Sequence, residues 1–98
     1  AAMILMGARF ARRAGTTATL DQLSKYVQFF HMPMVTASYW PMVHGNTPDE
    51  VLQDAEGMEV MRQLGRNMAW VLHCLEAGRA AGFPHPENPP RPMTNFIR

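Results

Sequence analysis

The sequence predicts an α/β chain of order βαβα, half of a doubly wound parallel sheet, followed by an extended tail. Three observations predict it. A continuous apolar run over residues 2–6 stops at Gly7, as a strand buried on both faces does. A second short run, Met34-Val35-Thr36-Ala37, lies between two segments of helical periodicity. Each of the two runs is followed by a polar loop. The opening run reads like a strand entered midway, so the chain is expected to be the second half of its domain. Residues 1–80 form that half and residues 81–98 the tail, with a right-handed parallel crossover.

The loop from Gly7 to Gly15 carries Arg9, Arg12 and Arg13. It is either a solvated loop or an anion site. Thr16 or Thr17 caps the first helix. Leu20, Leu23, Val27 and Phe30 then fall at i, i+3, i+7 and i+10, one apolar stripe. His31-Met32-Pro33 ends the helix, because the residue before proline is pushed out of helical geometry. After the second strand comes a loop over residues 38–46.

The next helix has the strongest start signal. Thr47 is the N-cap, Pro48 takes the first helical position and Glu50 completes a capping box. Asp49 and Glu50 also complement the positive end of the helix dipole. Apolar positions from Val51 to Leu75 predict one helix running to about Glu76, with Gly78 near its end. Gly57 and Gly65 interrupt it, each at a cost of ~1 kcal/mol relative to Ala. A close-packed neighbouring helix, or a bend near Gly65, would account for them. The tail holds Pro84, Pro86, Pro89, Pro90 and Pro92, so it is an extended arm. Phe96 and Ile97 are its candidate anchors on the body or on a partner chain.

Composition narrows the function. Nine Lys plus Arg against eight Asp plus Glu leave a net charge of +1, which argues against nucleic-acid binding driven by charge. No apolar run approaches the ~18 residues of a membrane span. The opening residues lack the basic segment of a signal peptide. Cys74 is the single cysteine, so no intrachain disulfide forms and a reducing, cytoplasmic setting is expected. It sits in an apolar pattern and reads as buried filler. Met58, Met61 and Met68 fall at helical spacing and read as core filling rather than copper ligands. His31, His44, His73 and His85 show no metal-ligand spacing, and no metal site is expected.

Ligands of a doubly wound sheet bind beyond the carboxyl ends of its strands. Both loops, 7–15 and 38–46, should open there. Tyr39 and Trp40 directly follow a strand, so they line a ligand site, pack an oligomer interface or cover the core. His44 is either a proton donor or the residue whose hydrogen bond fixes the Gly45-Asn46 turn.

Val43-His44-Gly45-Asn46-Thr47-Pro48 and Leu64-Gly65-Arg66-Asn67-Met68-Ala69-Trp70 resemble the NAD(P)H-dependent FMN reductases of the flavodoxin family, a group that includes iron–sulfur flavoproteins. The resemblance covers nearly the whole chain and is strongest over residues 39–75. It implies the C-terminal half of a flavodoxin-like doubly wound parallel sheet, FMN as cofactor and NAD(P)H as electron donor. It implies that Gly7, Ala8, Arg9, Arg12, Gly15, Thr16, Tyr39 and Trp40 approach the flavin ring. Arg12, Gly15 and Thr19 fit the family's first ring loop when aligned on Leu20. Ala14, Thr16 and Thr17 stand where Gly, Gln and Glu are usual. Relatives hold the FMN phosphate in a loop after their first strand, and that loop is not in this sequence. The expected partners are therefore further copies, as a homodimer or homotetramer, or a chain carrying the N-terminal half. The alternative is a fragment or subunit serving as a dimerisation or structural module without bound flavin.

Overall fold

The structure is a computed structural model and describes residues 15–97. Three helices follow in order: α1 (Thr16–Phe29), α2 (Pro48–Gln53) and α3 (Ala55–Ala80). There is no strand among the described residues. The expected βαβα half of a flavodoxin-like parallel sheet is therefore corrected. The strand expected at residues 2–6 lies outside the described residues. The one expected at Met34–Ala37 is extended chain with no ladder partner.

The reason for that correction lies in what satisfies the extended chain. Residues 32–47 form an arm running antiparallel along the first half of α3. Asn67 Nδ2 donates to the Thr36 carbonyl at 2.8 Å. Ser38 gives its backbone N–H (3.3 Å) to Gln63 Oε1, and its hydroxyl binds the same oxygen. His44 N–H donates to Asp54 Oδ2 at 2.7 Å. Helix side chains thus take the place of a neighbouring strand. From Asp54 to Asn67 the helix rises about 20 Å, whereas fully extended chain from Thr36 to His44 spans about 26 Å. The arm takes up the excess in bends at Ser38, Tyr39 and Pro41, where Met42 N–H closes onto the Trp40 carbonyl at 2.8 Å.

The helix ends follow local chemistry, with some changes of residue. The N-cap of α1 is Gly15, with φ 96°, rather than Thr16 or Thr17. The Thr19 hydroxyl turns back to the Gly15 carbonyl at 2.9 Å. At the other end Met32 N–H reaches the Val27 carbonyl (3.1 Å) and His31 N–H that of Gln28 (3.2 Å), a Schellman closure. It places His31 at φ 56°, a left-handed conformation that histidine tolerates better than most residues.

Thr47 caps α2 as expected, accepting from Glu50 N–H at 3.2 Å. Glu50 reaches back one residue further than a simple capping box and accepts from Asn46 N–H at 2.6 Å. The single helix expected from Pro48 is broken at Asp54 (φ −75°, ψ 80°), which restarts it as α3. That helix continues past Glu76 to Ala80 and is about 39 Å long. Its C-terminal glycine is Gly82 at φ 90°, not Gly78; Phe83 N–H to Gly78 O (2.9 Å) and Gly82 N–H to Arg79 O (3.1 Å) close it.

Burial is confined to where the arm meets α3. Val60, 6% exposed, is the only buried apolar side chain among the described residues. Met58, Met61, Leu64, Met68 and Val71 are half-buried. The helix α1 packs against neither α2 nor α3, and Tyr26, Phe29 and Phe30 at its end are exposed. The radius of gyration is 17.6 Å, where a compact chain of this length has about 13 Å. Cys74 is exposed rather than buried. Beyond α3 the tail is irregular, with Phe96 and Ile97 each 89% exposed, so neither anchors it on the body.

The two interior glycines separate cleanly. A Cβ on Gly57 would strike the Asp54 carboxylate and come within 2.8 Å of the Met42 carbonyl, so this glycine admits the arm rather than a neighbouring helix. A Cβ on Gly65 would meet nothing within 4 Å, and the helix runs through it unbroken. Gly65→Ala should therefore stabilise the chain by up to about 1 kcal/mol. Gly57→Ala should destabilise it despite the same propensity gain, by prising the arm off α3. Urea unfolding followed by far-UV circular dichroism checks both; a stabilised Gly57→Ala would contradict this packing.

Candidate functional site

The arm and the first turns of α3 enclose a cleft of about 290 Å³, lined by Tyr39, Met42, His44, Asp54, Glu56, Gly57 and Val60. Its position follows from the capping chemistry. Asp54 ends α2 and begins α3, so its carboxylate is fixed at the junction. Oδ1 accepts from Gly57 N–H at 3.0 Å, and Oδ2 accepts from His44 N–H. His44 Nδ1 lies 3.4 Å from the same oxygen. The His44 backbone thus fixes the chain just before Gly45-Asn46, the second of the two roles its sequence context suggests.

These bonds set the electrostatics. The Gly57 N–H, then the His44 N–H, lower the Asp54 pKa below its ordinary 3.8, with burial opposing them. On the outer face of α3, Arg66 Nη2 lies 2.6 Å from Glu59 Oε1 and Arg62 Nη1 3.6 Å from Oε2. Arg66 lowers the Glu59 pKa through that hydrogen bond. The triad is solvent-exposed and contributes little to stability.

Tyr39 and Trp40 are brought together. Their ring centroids are 4.8 Å apart at 66°, an edge-to-face pair, and the side chains are 53% and 52% exposed. Tyr39 lines the cleft and Trp40 stacks beside it, leaving ring surface open to solvent. Gly15 and Thr16 stand at the first turn of α1. Gly7, Ala8, Arg9 and Arg12 lie outside the described residues. Sequence reasoning did not single out Asp54, Glu56 or Gly57 as a group. The available signal was Asp54 three residues before Gly57, an N-cap spacing hidden inside a periodic run.

Chemically, the cleft offers aromatic and aliphatic surface with two carboxylates, and no Lys or Arg among the described residues lines it. It therefore suits a flat, uncharged ring and opposes a phosphate. Among the described residues no three His, Cys, Asp or Glu side chains are grouped to hold a metal ion. No helix among them is long and apolar enough to cross a membrane. No protein-family model, no curated protein and no solved structure matches the chain.

The junction should be acid-sensitive. The Asp54 pKa is lowered on folding, so its stabilising contribution is complete above the unfolded value and disappears as pH falls through the folded one. The Gly57 and His44 amide resonances should move together with a midpoint below 3.8. A midpoint at or above that value, by NMR titration, would show that the carboxylate is not held by these amides.

Proposed function

We propose that the chain takes part in FMN-dependent, NAD(P)H-driven redox chemistry, presenting Tyr39 and Trp40 to the isoalloxazine ring and associating through α3. The observation that carries the reading is the half-exposed ring pair at the mouth of an apolar-floored cleft, directly before the Val43–Pro48 motif that resembles flavin reductases. The described residues fit the ring and not the phosphate, since Asp54 and Glu56 would repel it. In this reading Arg9 and Arg12 bring the positive charge the cleft lacks, and the backbone of Gly7, Ala8, Gly15 and Thr16 approaches the ring edge. Bound flavin supplies the hydride and electron chemistry itself. The protein's share is to stack the ring on Tyr39 and Trp40 and to hold the arm still through Asp54. The lone thiol, Cys74, suits a cytoplasmic setting.

A second reading, a flavin-free association module, is favoured by Val60 being the sole buried apolar side chain among the described residues. A chain with so little core gains most from covering its apolar helix faces with a partner.

Flavin fluorescence on titration with FMN separates the two. Saturable quenching is expected, with Trp40→Ala weakening affinity roughly three- to tenfold, the loss of one aromatic stacking contact. No binding at millimolar FMN would leave the association module standing.

A further inference from the structure

Beside the strip of α3 that the arm covers runs a second apolar pattern. Met61, Gly65, Met68, Leu72, Leu75 and Arg79 are spaced 4, 3, 4, 3 and 4 residues apart. That is the alternation of a helix paired along a straight seam with another helix. Leu72 is 49% and Leu75 58% exposed, and Met61 and Met68 are half-buried. Gln63 and Asn67, which hold the arm, lie on the opposite flank, so the seam and the arm do not compete. In the middle of the helix, Gly65 has open space where a side chain would be.

From this pattern we infer that a second copy of the chain docks α3 against α3, antiparallel, about a two-fold axis at residue 70. The spacing reads the same in both directions, as an isologous interface requires. Met68 faces Leu72 of the second copy, and Gly65 faces its Leu75. The open space at Gly65 receives that leucine and lets the two helices approach closely. Charge agrees with the direction. Arg62 comes within about 3 Å of helix rise of Glu76 on the second copy. A parallel arrangement would set each charge against its own kind. The inference deepens the association role of α3 proposed above and does not depend on flavin.

Sedimentation equilibrium on the full chain tests it. The expected mass is twice the 11.0 kDa of one chain. Gly65→Leu should return the mass to 11.0 kDa with helicity retained, because the protomer has room for the side chain. Leu75→Glu should do the same. A monomeric parent chain, or a dimer unaffected by both substitutions, overturns the inference. Direction is read by mixing Gly65→Cys chains with Leu75→Cys chains, both carrying Cys74→Ser. Disulfides joining position 65 to position 75 support the antiparallel seam, and disulfides joining like positions overturn it. FMN titration of the Gly65→Leu chain keeps the readings apart: loss of the dimer with flavin binding intact supports this seam independently of the cofactor.

Discussion

The carboxylate of Asp54 joins the arm to the start of α3. It caps α3 through Gly57 N–H and ties down the arm through His44 N–H, while the residue's own backbone N–H closes α2 on the Val51 carbonyl. Two backbone amides, one from α3 and one from the arm, meet at one side chain. Because its partners are backbone amides, their geometry is fixed by the fold and favours the ionised form. The cleft exists because this junction sets the arm beside the first turns of α3.

Everything along the arm depends on that start. Extended backbone has polar groups that must be satisfied, and a sheet usually does this. Here Asn67 and Gln63 do it from the helix, four residues apart and so on one face. The arrangement permits close approach where a side chain is missing, at Gly57 on the helix and at Gly45 on the arm. It leaves the aromatic pair Tyr39–Trp40 at the bend, where the chain is longer than the helix beneath it and must bow outward. A site of open rings and carboxylates is thus a consequence of a length mismatch between extended chain and helix.

The same economy explains the exposed apolar surface. The arm covers one flank of α3, and α1 covers none of it. What remains is an apolar strip in which Leu72 and Leu75 are exposed and Gly65 leaves open space. The association and ring-binding roles proposed above would use different flanks of one helix, so a change in either need not disturb the other.

Local sequence determined the parts whose physics is local. Thr47, Pro48 and Glu50 announced the start of α2, and Pro33 with the Leu20–Phe30 stripe bracketed α1, because caps and periodicity act within a turn or two. That Tyr39 and Trp40 lie together beside Met34–Ala37 follows from their adjacency in sequence. The break at Asp54 was not legible, since the apolar periodicity runs straight through it and hides the local Asp54–Gly57 cap. Met34–Ala37 has strand-like composition, and composition cannot say whether a strand or the side chains of Gln63 and Asn67 will satisfy its backbone. Cys74 lies within an apolar run, yet only the packing of α3 decides which of its flanks is covered. Sequence alone determined the helical stretches and the Thr47 cap, because those signals act within a turn; tertiary structure decided what the extended chain leans on, and with it where the cleft lies.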